Sequence, residues 1–146
     1  PRSGWAAIVL SNLVPVSASW RCPALARSPL KAHPATEQRL DATNAATAVG
    51  YWHWRFDRFD PEVPLDNFWG KSVDRCVADL REANNPFIGV PGGASEVELL
   101  VDAYVPATAP GGLPEFAGYS SHPQRFNRLH LDGHAQSIYD SRLRRN

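Results

Sequence analysis

Three groups of side chains in this 146-residue chain have types and spacings that could do chemistry. His130, Asp132 and His134 recur at i, i+2 and i+4. On an uninterrupted strand alternate side chains share a face, so three metal ligands would point the same way. Asp132-Gly133 interrupts that strand. The pair signals a two-residue type I′ hairpin, and in such a turn His134 lies opposite Leu131 and away from His130. The spacing therefore predicts a turn and no metal. Ser120, Ser121, His122 and Asp102 supply the residue types of a Ser/His/Asp hydrolase. No G-x-S-x-G accompanies them, and the chain has no Walker motif, G-x-G-x-x-G, H-E-x-x-H or C-x-x-C. Such trios arise by chance in any chain of this size, so the chain reads as a non-enzyme. The third group is aromatic. VGYWHWRF (49–56) alternates, with Trp52, Trp54 and Phe56 on one face of a strand and Tyr51, His53 and Arg55 on the other. Such a stripe stacks against sugars in some proteins and is more often a core face.

The elements that must position these residues are short, because thirteen Pro and ten Gly punctuate the chain. Ser3 caps an expected helix from Gly4 or Trp5 to Val14, which Pro15 stops. Residues 19–48 read as an ordered meander, and 57–70 as a surface loop anchored by Phe59, Phe68 and Trp69. The clearest helix begins at Ser72, places Val73, Cys76, Val77 and Leu80 on one stripe, and ends at Asn84-Asn85-Pro86. Val97, Leu99 and Val101 alternate along a strand ending near Asp102. Arg125–Leu131 and His134–Tyr139 form the two arms of the terminal hairpin. One main helix, long ordered loops and four or five short antiparallel strands make an α+β domain, residues 1–146 forming a single unit.

Fifteen Lys plus Arg balance fifteen Asp plus Glu, which excludes a protein whose main work is holding nucleic acid or an anionic membrane. The apolar run Trp5–Leu10 is far short of the roughly 20 residues of a membrane span. The chain contains no Met, which suits a processed product of a longer chain. Cys22 and Cys76 are too few for a four-Cys zinc site and suit one bridge in an exported domain. Closing that loop of about 55 residues would contribute on the order of 4 kcal/mol by chain entropy; the alternative is two buried thiols. The balanced charge is unevenly spread. Asp57, Asp60, Glu62 and Asp66 crowd one loop, while Arg125, Arg128, Arg142, Arg144 and Arg145 crowd the hairpin and tail. Separated patches of opposite sign can pair head to tail between copies.

The segment SHPQRFNRLHLDGHAQSIYD carries His122, nine residues, then Asp132-Gly133. It resembles the C-terminal signature of prepilin-type, type II secretion pseudopilin-like proteins. Trp20-Arg21-Cys22-Pro23-Ala24 is similar to that family's aromatic-Arg-Cys-Pro segment, and 94–102 to its strand ending in Asp. Tyr51–Trp54 falls where the family has a Tyr/Gly/Asn-rich strand. The resemblance spans roughly residues 5–140 and implies a pilin-like globular head, the structural subunit of a type IV pilus-like or type II secretion pseudopilus filament. Its partners would be copies of itself or other pilin subunits, outside the cell, on its surface or in the periplasm. The family's long apolar N-terminal helix is absent here, so it would be removed or supplied by a separate chain. The resemblance also suggests calcium in the C-terminal loops, although no run of oxygen ligands matches an EF-hand. His122 is expected to tie its loop to Asp102 or to the Asp132-Gly133 turn. The alternative is a secreted carbohydrate- or metal-binding module using Tyr51, Trp52 and Trp54, with metal at the terminal hairpin; burial of the indoles separates the two.

Overall fold

A computed structural model describes residues 10, 13–14, 17–33, 50–53, 68, 70–86, 89–107 and 114–143. Ser72 opens helix α1 (Val73–Ala83) as the sequence predicts: its hydroxyl accepts from the Arg75 N–H at 3.3 Å. Asn84 turns left-handed at φ 43° and ends the helix. Cys76, Val77 and Leu80 are buried and pack with Phe68 and Val97. Val73 departs from expectation: it is 45% exposed, because the buried stripe begins one turn later, at Cys76. Arg81 anchors the far end of the helix, its guanidinium donating to the carbonyls of Pro91 (2.8 Å) and Gly92.

The described residues contain six strands, in chain order β1 (Tyr51–His53), β2 (Glu98–Asp102), β3 (Tyr104–Val105), β4 (Tyr119–Ser120), β5 (Arg125–His130) and β6 (Ala135–Tyr139). β1, β2, β5 and β6 form an antiparallel sheet in the order β1-β2-β5-β6, and β3 pairs with β4 separately. The α+β class, the single helix among the described residues and the C-terminal hairpin agree with the sequence reading. The small β3–β4 sheet is additional. Its strands are two residues long, too short for alternation to show.

Cross-strand partners share a face. Trp52 lies opposite Val101 and packs on the Val101, Phe126 and Leu143 cluster, where Tyr104 stacks on Phe126 with ring centroids 4.2 Å apart. Tyr51 lies opposite Asp102 and packs with Trp20. The alternation expected at 51–52 is therefore present. Trp54, Phe56, Phe59, Trp69, most of the expected first helix from Gly4 or Trp5 to Val14 (residues 4–9 and 11–12) with its cap Ser3, and the acidic residues Asp57, Asp60, Glu62 and Asp66 lie outside the described residues, as do Arg144 and Arg145.

The terminal turn differs from the expected two-residue type I′ form. The ladder runs from Arg125↔Tyr139 to Leu129↔Ala135, and the His130 N–H then donates to the His134 carbonyl at 2.9 Å. The loop is thus Leu131-Asp132-Gly133. A type I′ turn needs positive φ at both Asp132 and Gly133, and only Gly133 has it, at 88°. The Gly133 N–H donates to the His130 carbonyl at 2.9 Å, completing a three-residue hairpin loop with its left-handed glycine last. His130 and His134 consequently face one another, with rings stacked at 4.2 Å, which reverses the expectation that the turn separates them.

Candidate functional site

Of the stretch read as a meander, the described residues to position 33 form three 3-10 turns, Ser17–Trp20, Pro23–Arg27 and Pro29–Ala32, and residues 34–48 lie outside the described residues. Pro23 and Pro29 stand at the starts of the second and third, where a missing N–H costs nothing. Cys22 occupies the cap position of the second turn, and its carbonyl accepts from the Leu25 N–H at 3.0 Å. This segment is fastened to β1 because the Gly50 N–H donates to the Trp20 carbonyl at 2.8 Å. A Cβ on Gly50 would stand 3.3 Å from Leu25 Cδ2 and 3.5 Å from Arg21 Cα, so a glycine lets the two backbones meet closely. A second tie is Ser28, whose buried hydroxyl donates to the Ser120 carbonyl at 2.7 Å and accepts from the Leu30 N–H at 3.2 Å.

The same ties position His122. Ser121 donates to the Ala103 carbonyl from both its N–H (3.1 Å) and its hydroxyl (3.2 Å), while the Ser120 hydroxyl reaches the carbonyls of His122 and Arg125. Pro123 and left-handed Gln124 (φ 53°) then turn the chain, closed by the Arg125 N–H donating to the His122 carbonyl at 3.2 Å.

Three segments remote in sequence thereby converge at the Asp102 end of β2. Cys22 Sγ lies 3.3 Å from His122 Nε2, and His122 Nε2 lies 3.2 Å from Asp102 Oδ2. One donor atom from each of the three falls within 4.8 Å of the others. The Asp102 side chain is only 3% exposed, and its Oδ2 accepts from the Asn127 backbone N–H (2.9 Å) and Nδ2 (2.8 Å). The His122 side chain is 32% exposed and forms the open side of the group. Burial, and then the Asp102 charge, push the Cys22 thiol up from its ordinary value. Burial pushes the Tyr51 phenol up to about 12, with Cys22 and Asp102 adding to the effect.

The loop-to-strand tie expected between His122 and Asp102 is present. Cys22 beside them was missed, since the sequence reading assigned it to a bridge with Cys76. Both thiols are free. Cys76 packs on Val97, which precedes β2, while Cys22 sits at Asp102, which ends it. The five steps between span roughly 16 Å, well beyond the separation a disulfide tolerates. Nor do His130, Asp132 and His134 form a ligand set. His134 Nδ1 is taken by Asp132 Oδ1 at 2.6 Å, and both ring nitrogens of buried His130 find no hydrogen-bond partner among the described residues. Asp132 and Gly133 serve the turn, the Asp132 carboxylate also accepting from the His134 N–H at 3.1 Å.

Of the arginines grouped in the hairpin and tail, Arg125, Arg128 and Arg142 lie among the described residues. Arg142 forks onto Asp140, with Nε–Oδ1 at 2.8 Å and Nη2–Oδ2 at 2.6 Å, and Arg128 Nε lies 2.6 Å from Glu98 Oε2. Both are paired within the chain, although the Arg142 side chain stays 57% exposed, and Arg125, at the hairpin's first position, is exposed as well. Trp52 is half-buried on the core, and Trp54, the other indole of the expected stacking stripe, lies outside the described residues. No helix among the described residues is long and apolar enough to cross a membrane. No family model, curated protein or solved structure matches the chain.

Proposed function

We propose that this chain is the globular head of a structural subunit in a pilin-like filament, of the type IV pilus or type II secretion pseudopilus kind, acting through assembly surfaces and not through catalysis. The observation that carries this reading is the use to which the terminal motif is put. His122 clasps the loop before β5 to the end of β2, and Asp132-Gly133 turns β5 into β6. The motif residues thus hold a hairpin in place, which is the work expected of a signature that marks a fold and not a pocket.

The hairpin so held presents β6 at the edge of the main sheet, with Ala135, Gln136, Ser137 and Tyr139 exposed. Tyr139 is 59% exposed, a large amphipathic side chain of the kind enriched at protein interfaces. An edge strand offers unpaired backbone groups to a neighbouring subunit. Extracellular, surface or periplasmic placement belongs to the same proposal.

Immunogold electron microscopy of surface fibres sheared from cells that make the protein tests the reading. The expected result is label repeating along filaments. Fibres that never carry label, with the chain recovered only as free monomer, would overturn it.

A further inference from the structure

Cys22, Asp102 and His122 supply a thiol, a carboxylate and an imidazole from three segments that the fold brings to one point. The first question is whether this is a nucleophile with its base. A relay places the nucleophile on one imidazole nitrogen and the orienting acid on the other. Here the thiol and the carboxylate both approach Nε2. A reactive cysteine also needs its thiolate favoured, whereas burial and Asp102 favour the protonated thiol of Cys22. The arrangement is convergent and not sequential.

We propose that Cys22, Asp102 and His122 form a binding site for a divalent transition ion of the zinc type, which staples the N-terminal 3-10 segment, the end of β2 and the turn before β5 together. Zinc bonds of about 2.3 Å to sulfur and about 2.0–2.1 Å to nitrogen or oxygen put tetrahedral ligand atoms roughly 3.3–3.6 Å apart. The Sγ–Nε2 and Nε2–Oδ2 separations of 3.3 and 3.2 Å already match those edges closely. Charge agrees as well. One thiolate and one carboxylate neutralise a divalent cation, and among the described residues the carboxylate of Asp102 makes no Lys or Arg ion pair. The ligand chemistry, one soft sulfur with one nitrogen and one oxygen, selects a zinc-like ion over calcium or magnesium.

The surroundings fit a ligand set. Asn127 fixes the Asp102 carboxylate with two donors, the outer-shell support that orients metal ligands. The half-exposed His122 leaves a path for the ion and for a water as fourth ligand. Binding releases the Cys22 proton to solvent as the thiolate forms, so metal uptake is accompanied by proton release. The proposal is independent of the filament reading, because it rests on these three side chains alone.

The test is titration of the full chain, reduced and metal-free, with Co²⁺ as a spectroscopic stand-in, followed by competition with Zn²⁺. The expected result is one equivalent bound, an intense thiolate-to-cobalt charge-transfer band, tetrahedral d–d bands, and bleaching by Zn²⁺. Cys76→Ala, in the helix cluster, keeps the band and so assigns it to Cys22 even if Cys22→Ser fails to fold. Asp102→Asn and His122→Gln lose stoichiometric binding, and Asn127→Ala weakens it by roughly 10–100-fold. A chain that takes up no Co²⁺, one whose bound Co²⁺ shows no thiolate band, or a band lost in Cys76→Ala and kept in Cys22→Ser would overturn the site.

Discussion

Ser28→Ala removes one hydroxyl and no volume to speak of, yet it unties the segment that carries Cys22 from the strand that leads to His122. The Ser28 hydroxyl donates to the Ser120 carbonyl at 2.7 Å and accepts from the Leu30 N–H at 3.2 Å, and all three residues are buried. Losing the cap on Leu30 costs about 1–2 kcal/mol. The bond to Ser120 adds about 1 kcal/mol, since water does not reach the carbonyl to replace it. The sum of about 2–3 kcal/mol lowers Tm by roughly 5–10 °C in a chain of this length. Ser72→Ala is the matched control. It also removes a cap, but at the exposed start of α1, where water can take over, and it is expected to cost about 1 kcal/mol. Urea and thermal unfolding of the two variants beside the parent chain measure the difference. A Ser28→Ala chain no less stable than Ser72→Ala would refute the claim that this hydroxyl joins the two segments.

Burial, and then the neighbouring His134, push His130 below the usual imidazole range, with Glu98 and Asp132 opposing and Arg128 reinforcing the shift. The unfolded chain therefore binds this proton at higher pH than the folded one. Stability contributed here is intact above about pH 6.5 and falls as pH drops from there toward the depressed folded value; His130→Phe should flatten that slope in urea midpoints measured across it, and an unchanged slope would contradict the assignment. Gly133→Ala places a Cβ at φ 88° with no atom within 4 Å to strike, so its cost is backbone strain alone, about 1–2 kcal/mol, read by thermal melting. If the acidic 57–66 segment meets the Arg125 end of a neighbouring subunit, association weakens steeply with salt through screening; sedimentation that is indifferent to salt up to about molar strength would leave assembly to apolar or edge-strand contacts.

What was legible in the sequence was local. Ser72, the 76/77/80 stripe and Asn84 announce α1 because capping and periodicity act within a few residues. Gly133 announces a hairpin for the same reason. The exact turn was misread because Asp-Gly suits both a two-residue loop and the end of a three-residue one; the choice depends on the ladder register, which the facing His130 and His134 share. The site was only half legible. His122 and Asp102 could be linked through the terminal motif, whereas Cys22 lies 100 residues from His122 in the chain. No local pattern carries that closure. It follows from Gly50 against Trp20 and from Ser28 on Ser120, ties between distant segments whose residue types are unremarkable alone. Pairing Cys22 with Cys76 was the economical reading of two cysteines, and the length of β2 separates them.

The convergence of Cys22, Asp102 and His122 is the central structural claim, and X-ray absorption at the zinc edge of the full chain loaded with one equivalent of Zn²⁺ tests it most directly. The account predicts a single sulfur at about 2.3 Å with the remaining ligands nitrogen or oxygen at about 2.0–2.1 Å. A first shell without sulfur, or one holding two sulfurs, would contradict it.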